Sequence, residues 1–180
     1  MTSILARVAS AGLAVALVST ASVSASLAQE STNRVAAKTD WSVFVEDDPT
    51  ECWGVSAPKE TVNTKDGRVV AVRRSDILLF ITYRPGSDVK GEVSFTGGYP
   101  FAGGSTVSLD ISGNKFELFT EGEWAWPASA ADDTKIITAM KRGAEAKVSG
   151  RSARGTKTTD TFSLLGFTAA LDEAETRCKK

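Results

Sequence analysis

The sequence predicts a mainly β, single-domain fold, either a β-sandwich or a partly closed barrel, with two short helices. Short segments that alternate apolar and polar residues recur through the middle of the chain, and Gly, Asn and Asp turn signals separate them. Only two segments, both near the C-terminal end, repeat apolar residues at helical spacing. The chain contains no internal repeat, coiled coil or linker, which favours one domain.

Residues 1–28 have the pattern of a secretory signal peptide. Arg7 supplies the positive charge, an apolar stretch follows, and small residues lead to Ala28, after which we expect cleavage. A membrane anchor is the alternative, but the apolar stretch is shorter than the roughly 20 residues of a spanning helix. Residues 29–39 are polar and predict a flexible lead-in to a β domain at 40–180. The mature chain is therefore predicted to be periplasmic or secreted, with no transmembrane segment.

The strands of the first half follow from β-formers and turn signals in chain order. Asp66-Gly67 marks the tight turn of a hairpin, and Pro85-Gly86 ends a nearly continuous apolar run that is typical of a central strand. A loop rich in glycine and aromatic residues, 97–104, precedes a second hairpin with its turn at Gly113-Asn114. The predicted strands cover residues 41–46, 52–56, 61–64, 68–73, 77–83, 92–95, 106–111 and 115–120.

The C-terminal part predicts both helices. Ser129 and Asp132 form a near capping box, and the apolar stripe that follows predicts a helix ending near Gly143. Two strands then surround a loop, and helical spacing returns from Phe167. These last elements cover residues 144–151, 158–164 and 167–177.

Cys52 and Cys178 are the only cysteines of the chain, which contains no histidine. An oxidising compartment permits a disulfide, and Cys52 to Cys178 is the one possible intramolecular pairing. Unpaired or intermolecular thiols are the alternative. Two distant cysteines without histidine do not have the spacing of a zinc site, so we predict no metal and no cofactor.

Several segments resemble the invasion-associated locus B proteins of bacterial envelopes. The resemblance depends on Asp40-Trp41, on residues 140–143 and above all on the run DTFSLLGFTAAL at 160–171, and it covers about residues 40–178. It implies an exported, small, β-rich protein associated with host-cell invasion, and it supplies no catalytic motif. The chain has fewer cysteines than many members, with Val45 near the position of a frequent first-strand cysteine.

Charge and composition argue against two classes of function. Without Arg7 of the signal peptide, 20 basic residues remain against 22 acidic ones, which leaves no broad basic field for nucleic acid. Without histidine, a nucleophilic serine lacks its usual base. We therefore predict a protein that is not an enzyme and has no catalytic residues.

Aromatic residues are the first candidate binding site. An extended backbone places Trp124 and Trp126 on one face, and Tyr99 and Phe101 repeat this spacing in the glycine-flanked loop. Together they would form an exposed patch for an envelope protein or glycan. The alternative is that these side chains anchor the core.

Basic residues are the second candidate site. Strand alternation sets Lys147 and Arg151 on one side, where they could contact an anionic lipopolysaccharide or an acidic partner. Ordinary salt bridges are the alternative explanation.

The sequence thus predicts an exported, non-enzymatic protein that binds an unidentified envelope protein or glycan. One alternative is a histidine-free glycoside hydrolase that uses a pair of carboxylates near the aromatic segment. The candidates for that pair are Glu121, Glu123, Asp132 and Asp133. A purely structural envelope component is the other alternative.

Overall fold

Twelve strands and two helices make up the computed structural model, which describes residues 33–179. The predicted signal peptide and its cleavage site lie outside the described residues. The strands are β1 (Arg34–Lys38), β2 (Trp41–Asp47), β3 (Thr50–Ser56), β4 (Glu60–Lys65), β5 (Arg68–Val69), β6 (Leu78–Arg84), β7 (Val89–Thr96), β8 (Thr106–Ile111), β9 (Asn114–Glu121), β10 (Trp124–Trp126), β11 (Glu145–Arg151) and β12 (Lys157–Ser163). The helices are α1 (Ala130–Met140) and α2 (Phe167–Cys178).

The mainly β class with two helices is confirmed. The extended segment of Trp124 and Trp126 forms an additional strand, β10, in the middle of the sheet, and the other main differences lie at its two edges. Residues 34–38 form β1 in place of a flexible lead-in. Backbone hydrogen bonds to β2 hold this strand, although its sequence does not alternate clearly. The predicted strand 68–73 is reduced to the two residues of β5. The chain then leaves the sheet, because the side chain of Arg74 enters a buried ion pair with Asp160.

All strands belong to one antiparallel sheet that is not closed, which agrees with the expected partly closed barrel. The strand order is β1-β2-β3-β6-β7-β10-β9-β8-β11-β12-β4-β5. In a flat sheet, β7 and β12 would lie about 24 Å apart, given five steps of about 4.8 Å. Instead the rings of Phe95 on β7 and Phe162 on β12 have centroids 6.1 Å apart. The sheet therefore curls around a shared core.

Alternation decides which side chains reach that core. In β8, Val107, Leu109 and Ile111 are buried, whereas the residues between them are exposed or half-buried. Helix α2 packs across β1, β2 and β3, where the ring of Phe167 meets that of Trp41 edge-on at 5.0 Å. Neither helix of residues 33–179 is long and apolar enough to span a membrane.

The predicted disulfide between Cys52 and Cys178 is present. The two Cα atoms are 5.8 Å apart, within the usual range for a disulfide, and both residues are buried. Because Cys52 lies in β3 and Cys178 ends α2, the bond fixes the last helix on the early strands.

Candidate functional site

Six aromatic side chains lie on the solvent face of the sheet, opposite the core. We call them the aromatic platform. It consists of Phe44, Trp53, Phe80, Phe119, Trp124 and Trp126, which belong to β2, β3, β6, β9 and β10. Their neighbours along the strands, among them Val43, Cys52, Leu79 and Leu118, point to the other side and are fully buried. Alternation therefore places the core and the platform on opposite faces.

Pairing across the strands brings these rings together. Phe44 and Trp53 are direct cross-strand neighbours, stacked with centroids 5.6 Å apart. The ring of Phe80 lies 5.7 Å from that of Trp124, and Trp124 stacks beside Trp126 at 6.3 Å with an angle of 20° between the ring planes. Phe119 is the cross-strand neighbour of Trp126. The result is a row of rings across neighbouring strands of the sheet.

The platform contains a groove of about 340 Å³. Its aromatic lining comes from Trp53, Phe80, Trp124 and Trp126. Its polar lining comes from Glu51, Thr82, Arg84 and Ser94. A volume near 300 Å³ is at the lower end for small-ligand sites, so the groove suits a narrow ligand.

Arg84 is neutralised at one end of this groove. Its Nε donates to Oε1 of Glu51 at 2.8 Å, and its Nη1 lies 3.2 Å from Oε1 of Glu92. Two carboxylates thus face one guanidinium, and the groove presents no excess of positive charge.

The tryptophans of the predicted site lie in this groove, whereas Tyr99 and Phe101 do not join them. Phe101 is buried against Phe95, with centroids 6.2 Å apart, and Tyr99 packs edge-on against Phe101 at 5.1 Å. The Tyr99 hydroxyl is 2.5 Å from that of Thr158, and burial raises the pKa of Tyr99. The loop folds inward because burying two rings is more favourable than leaving them in water.

The basic candidates lie elsewhere on the sheet, on β11. Lys147 is exposed but paired with Glu145 at 3.0 Å, and that hydrogen bond raises the pKa of Lys147. Asp110 and Glu60 add further negative charge around it. Arg151 is exposed and has no ion pair among residues 33–179. The acidic groups around Lys147 therefore compensate one of the two positive charges that we expected to form a basic surface.

The structure separates the four candidate carboxylates. Glu121 and Asp133 line one cavity of about 500 Å³, together with Glu92 and Trp126. Glu123 lines a different cavity. Asp132 lies in the first turn of α1, where a hydrogen bond from Lys135 lowers its pKa. Among residues 33–179, no group of three or more such side chains is placed to hold a metal ion.

Burial raises the pKa of Asp133, although the backbone N–H of Val93 donates to its Oδ1 at 2.8 Å. The nearby charges of Glu92 and Asp132 raise the pKa of Asp133 further. The hydrogen bond from Val93 ties α1 to β7, so the first role of Asp133 is to hold the helix on the sheet.

We expect Asp133 to make the fold less stable as pH rises. Because its pKa is higher in the folded than in the unfolded chain, its favourable contribution is complete below the unfolded pKa and is lost as pH rises through the folded pKa. Asp133→Asn keeps an oxygen for the Val93 N–H but does not titrate. Denaturant unfolding between about pH 3 and pH 7 should show the variant gaining stability relative to the wild type. A difference independent of pH would contradict this account.

The aromatic residues that sequence reasoning missed carry a local signal. Phe44, Trp53, Phe80 and Phe119 each alternate with a fully buried apolar residue, which assigns them to the outer face. Large aromatic residues on an outer face are the recognisable feature. Their convergence depends on strand pairing, which no local pattern contains.

Comparison with known proteins agrees with the architecture. The sequence model of the family described as Invasion associated locus B (IalB) protein matches residues 41–175. The crystal structure of invasion associated protein B from Bartonella henselae is similar in fold, with a TM-score of 0.56 and 15% identity over 81% of this chain and 98% of that chain. A search of curated proteins gives no match. The match over residues 41–175 shows that the chain belongs to the invasion associated locus B family.

Proposed function

We propose that this chain is an exported, non-enzymatic binding protein of the bacterial envelope and that its partner contacts the aromatic platform. The observation that carries the proposal is the exposure of large aromatic side chains on one face of the sheet. Trp124 is 39% and Phe119 is 55% exposed. Contiguous exposed apolar surface marks interaction sites, and tryptophan is enriched among the residues that dominate binding energy.

Three further features support export and a binding role. The signal-peptide pattern of residues 1–28 predicts secretion, and the buried Cys52–Cys178 disulfide suits an oxidising compartment. The absence of histidine removes the commonest general base from the whole sequence. Membership of the family adds an association with invasion, in which contact with a host or envelope surface is the step a binding protein would perform.

The double variant Trp124→Ala/Trp126→Ala is expected to bind isolated bacterial envelopes at least about 30-fold more weakly, since a truncated hot-spot residue costs about 2 kcal/mol or more. Its fold should persist, because Trp124 is substantially exposed and Trp126 is only half-buried. Cosedimentation with envelopes measures the binding, and thermal unfolding checks the fold. Leu165→Ala is the matched control, because Leu165 is 61% exposed outside the platform. Unchanged cosedimentation of a folded double variant would refute the proposal.

A carboxylate glycoside hydrolase is the second candidate function. The observation that favours it is the shared cavity of Glu121 and Asp133 beside Trp126, together with the raised pKa of Asp133. Release of reducing ends from envelope polysaccharide, lost in Glu121→Gln and in Asp133→Asn, would support this candidate. Binding is preferred, because the Asp133 carboxylate already accepts a structural hydrogen bond from Val93.

A further inference from the structure

We infer that the groove of the aromatic platform binds a neutral polysaccharide chain, whose sugar rings stack on Trp124 and Trp126 and whose hydroxyl groups hydrogen-bond with Thr82 and Ser94. This inference rests on the proposed function and specifies the chemistry of the partner.

Two hydroxyl groups that line the groove have no hydrogen-bond partner in the part of the chain that the structure describes. Thr82 is 4% and Ser94 is 6% exposed, and both line the groove between the rings. Neither side chain has a hydrogen bond among residues 33–179, although no fully enclosed side-chain polar atom of those residues is left unsatisfied. Each of these hydroxyl oxygens therefore keeps some solvent exposure, and both residues line the groove. A nearly buried hydroxyl is normally hydrogen-bonded, so these two groups are available to a ligand.

The indole N–H groups of the groove repeat this pattern. The buried Trp41 donates its Nε1–H to the carbonyl oxygen of Ser163 at 3.0 Å. By contrast, Trp53, Trp124 and Trp126 have no hydrogen-bond acceptor for this group among residues 33–179. An indole N–H can only donate, so each of these three groups is available to an acceptor oxygen of a ligand. A ligand that combines apolar faces with many oxygen atoms suits this lining.

Sugar rings have both properties. The face of an aromatic ring carries negative charge density, and the C–H groups of a pyranose, polarised by the neighbouring oxygens, pack against it. Trp124 and Trp126 present adjacent, nearly parallel rings, and Phe80 extends this surface beside Trp124. The hydroxyl groups at the edge of a sugar both donate and accept, which matches Thr82, Ser94 and the indole N–H groups together.

The charge at the groove selects a neutral chain over an anionic one. Arg84 is engaged by Glu51 and Glu92, so a phosphorylated or uronic-acid polymer would meet more carboxylate than guanidinium. The Glu51 carboxylate, which lines the groove, can instead accept hydrogen bonds from sugar hydroxyl groups.

A proline-rich peptide is the competing ligand, because aromatic grooves also bind polyproline II helices. Proline has no backbone N–H, so such a segment offers few donors to Glu51, Thr82 and Ser94. A polysaccharide offers a donor at nearly every hydroxyl. The polar lining therefore favours the polysaccharide.

The test measures cosedimentation of the full mature protein with bacterial envelopes after two treatments. Proteinase K removes surface protein, whereas periodate cleaves the vicinal diols of sugars. We expect binding to survive the protease, to fall at least tenfold after periodate, and to be insensitive to added salt. Binding that resists periodate but is lost after proteinase K would overturn the inference, and so would steep weakening by salt.

Variants separate this inference from the proposed function. Thr82→Val and Ser94→Ala keep the apolar surface but remove the hydroxyl groups, and we expect each to weaken envelope binding several-fold while thermal unfolding stays close to that of the wild type. Binding that needs Trp124 and Trp126 but resists periodate would overturn the polysaccharide and leave the proposed function in place. Binding unaffected by Trp124→Ala/Trp126→Ala would defeat both. Leu165→Ala serves again as the control.

Discussion

Replacing Arg74 with alanine is expected to destabilise the protein by about 3–5 kcal/mol, because the change leaves the Asp160 carboxylate buried without its cation. The side chains are 5% and 0% exposed, and Nη1 and Nη2 of Arg74 lie 2.7 and 2.6 Å from the two carboxylate oxygens. Nε of Arg74 also donates to the carbonyl oxygen of Gly97 at 2.8 Å. Denaturant unfolding at neutral pH measures the loss.

Two further variants show whether the buried charge is the cause. Arg73→Ala removes an exposed arginine from the neighbouring position and is expected to change stability by no more than about 0.5 kcal/mol. Arg74→Met/Asp160→Asn removes both charges, so it should be less destabilised than the sum of the two single changes. Strict additivity would contradict the ion pair as the source of the effect.

Loss of the Cys52–Cys178 disulfide is expected to lower the free energy of unfolding by about 2–4 kcal/mol. The chain-entropy model gives a larger value, about 5 kcal/mol, for so long a loop. The two cysteines are 126 residues apart in sequence, so the bond restricts most of the unfolded domain. Cys52→Ala/Cys178→Ala should therefore unfold at a lower denaturant concentration than the oxidised wild type.

Reduction provides the matched control for the disulfide. A thiol reductant should lower the midpoint of the wild type towards that of Cys52→Ala/Cys178→Ala and should not affect the double variant. Equal midpoints for the oxidised wild type and the double variant would show that the bond adds no stability. Free-thiol titration of the denatured protein confirms the oxidation state in each case.

Local patterns predicted most of the elements because each strand has one buried face. Alternation identified β8 and β9, and the capping residue Ser129, whose Oγ accepts from the backbone N–H of Asp132, located the start of α1. Strand β1 was missed because an edge strand needs little apolar surface when its neighbour supplies the hydrogen bonds. The order of the strands depends on contacts between distant segments, which short-range periodicity does not contain.

The candidate site shows the same limit. Trp124 and Trp126 were predictable because they are two residues apart on one strand. Trp53 and Phe80 join them only because β3, β6, β7 and β10 are successive neighbours in the sheet. Tyr99 and Phe101 repeat the spacing of the tryptophans, but they belong to a loop, where alternation does not determine which side is buried.

The contact between the two ends of the domain determines when folding can finish. The N–H of Asp40 donates to the carbonyl oxygen of Leu165 at 3.3 Å, and α2 covers the strand that begins at Trp41. A ribosome delivers Trp41 long before Leu165, so α2 cannot cover the first strands until almost the whole domain has been synthesised. Folds dominated by such distant contacts form slowly, in milliseconds to seconds. For the export proposed here, this delay leaves time for an unfolded polypeptide to reach the translocation machinery.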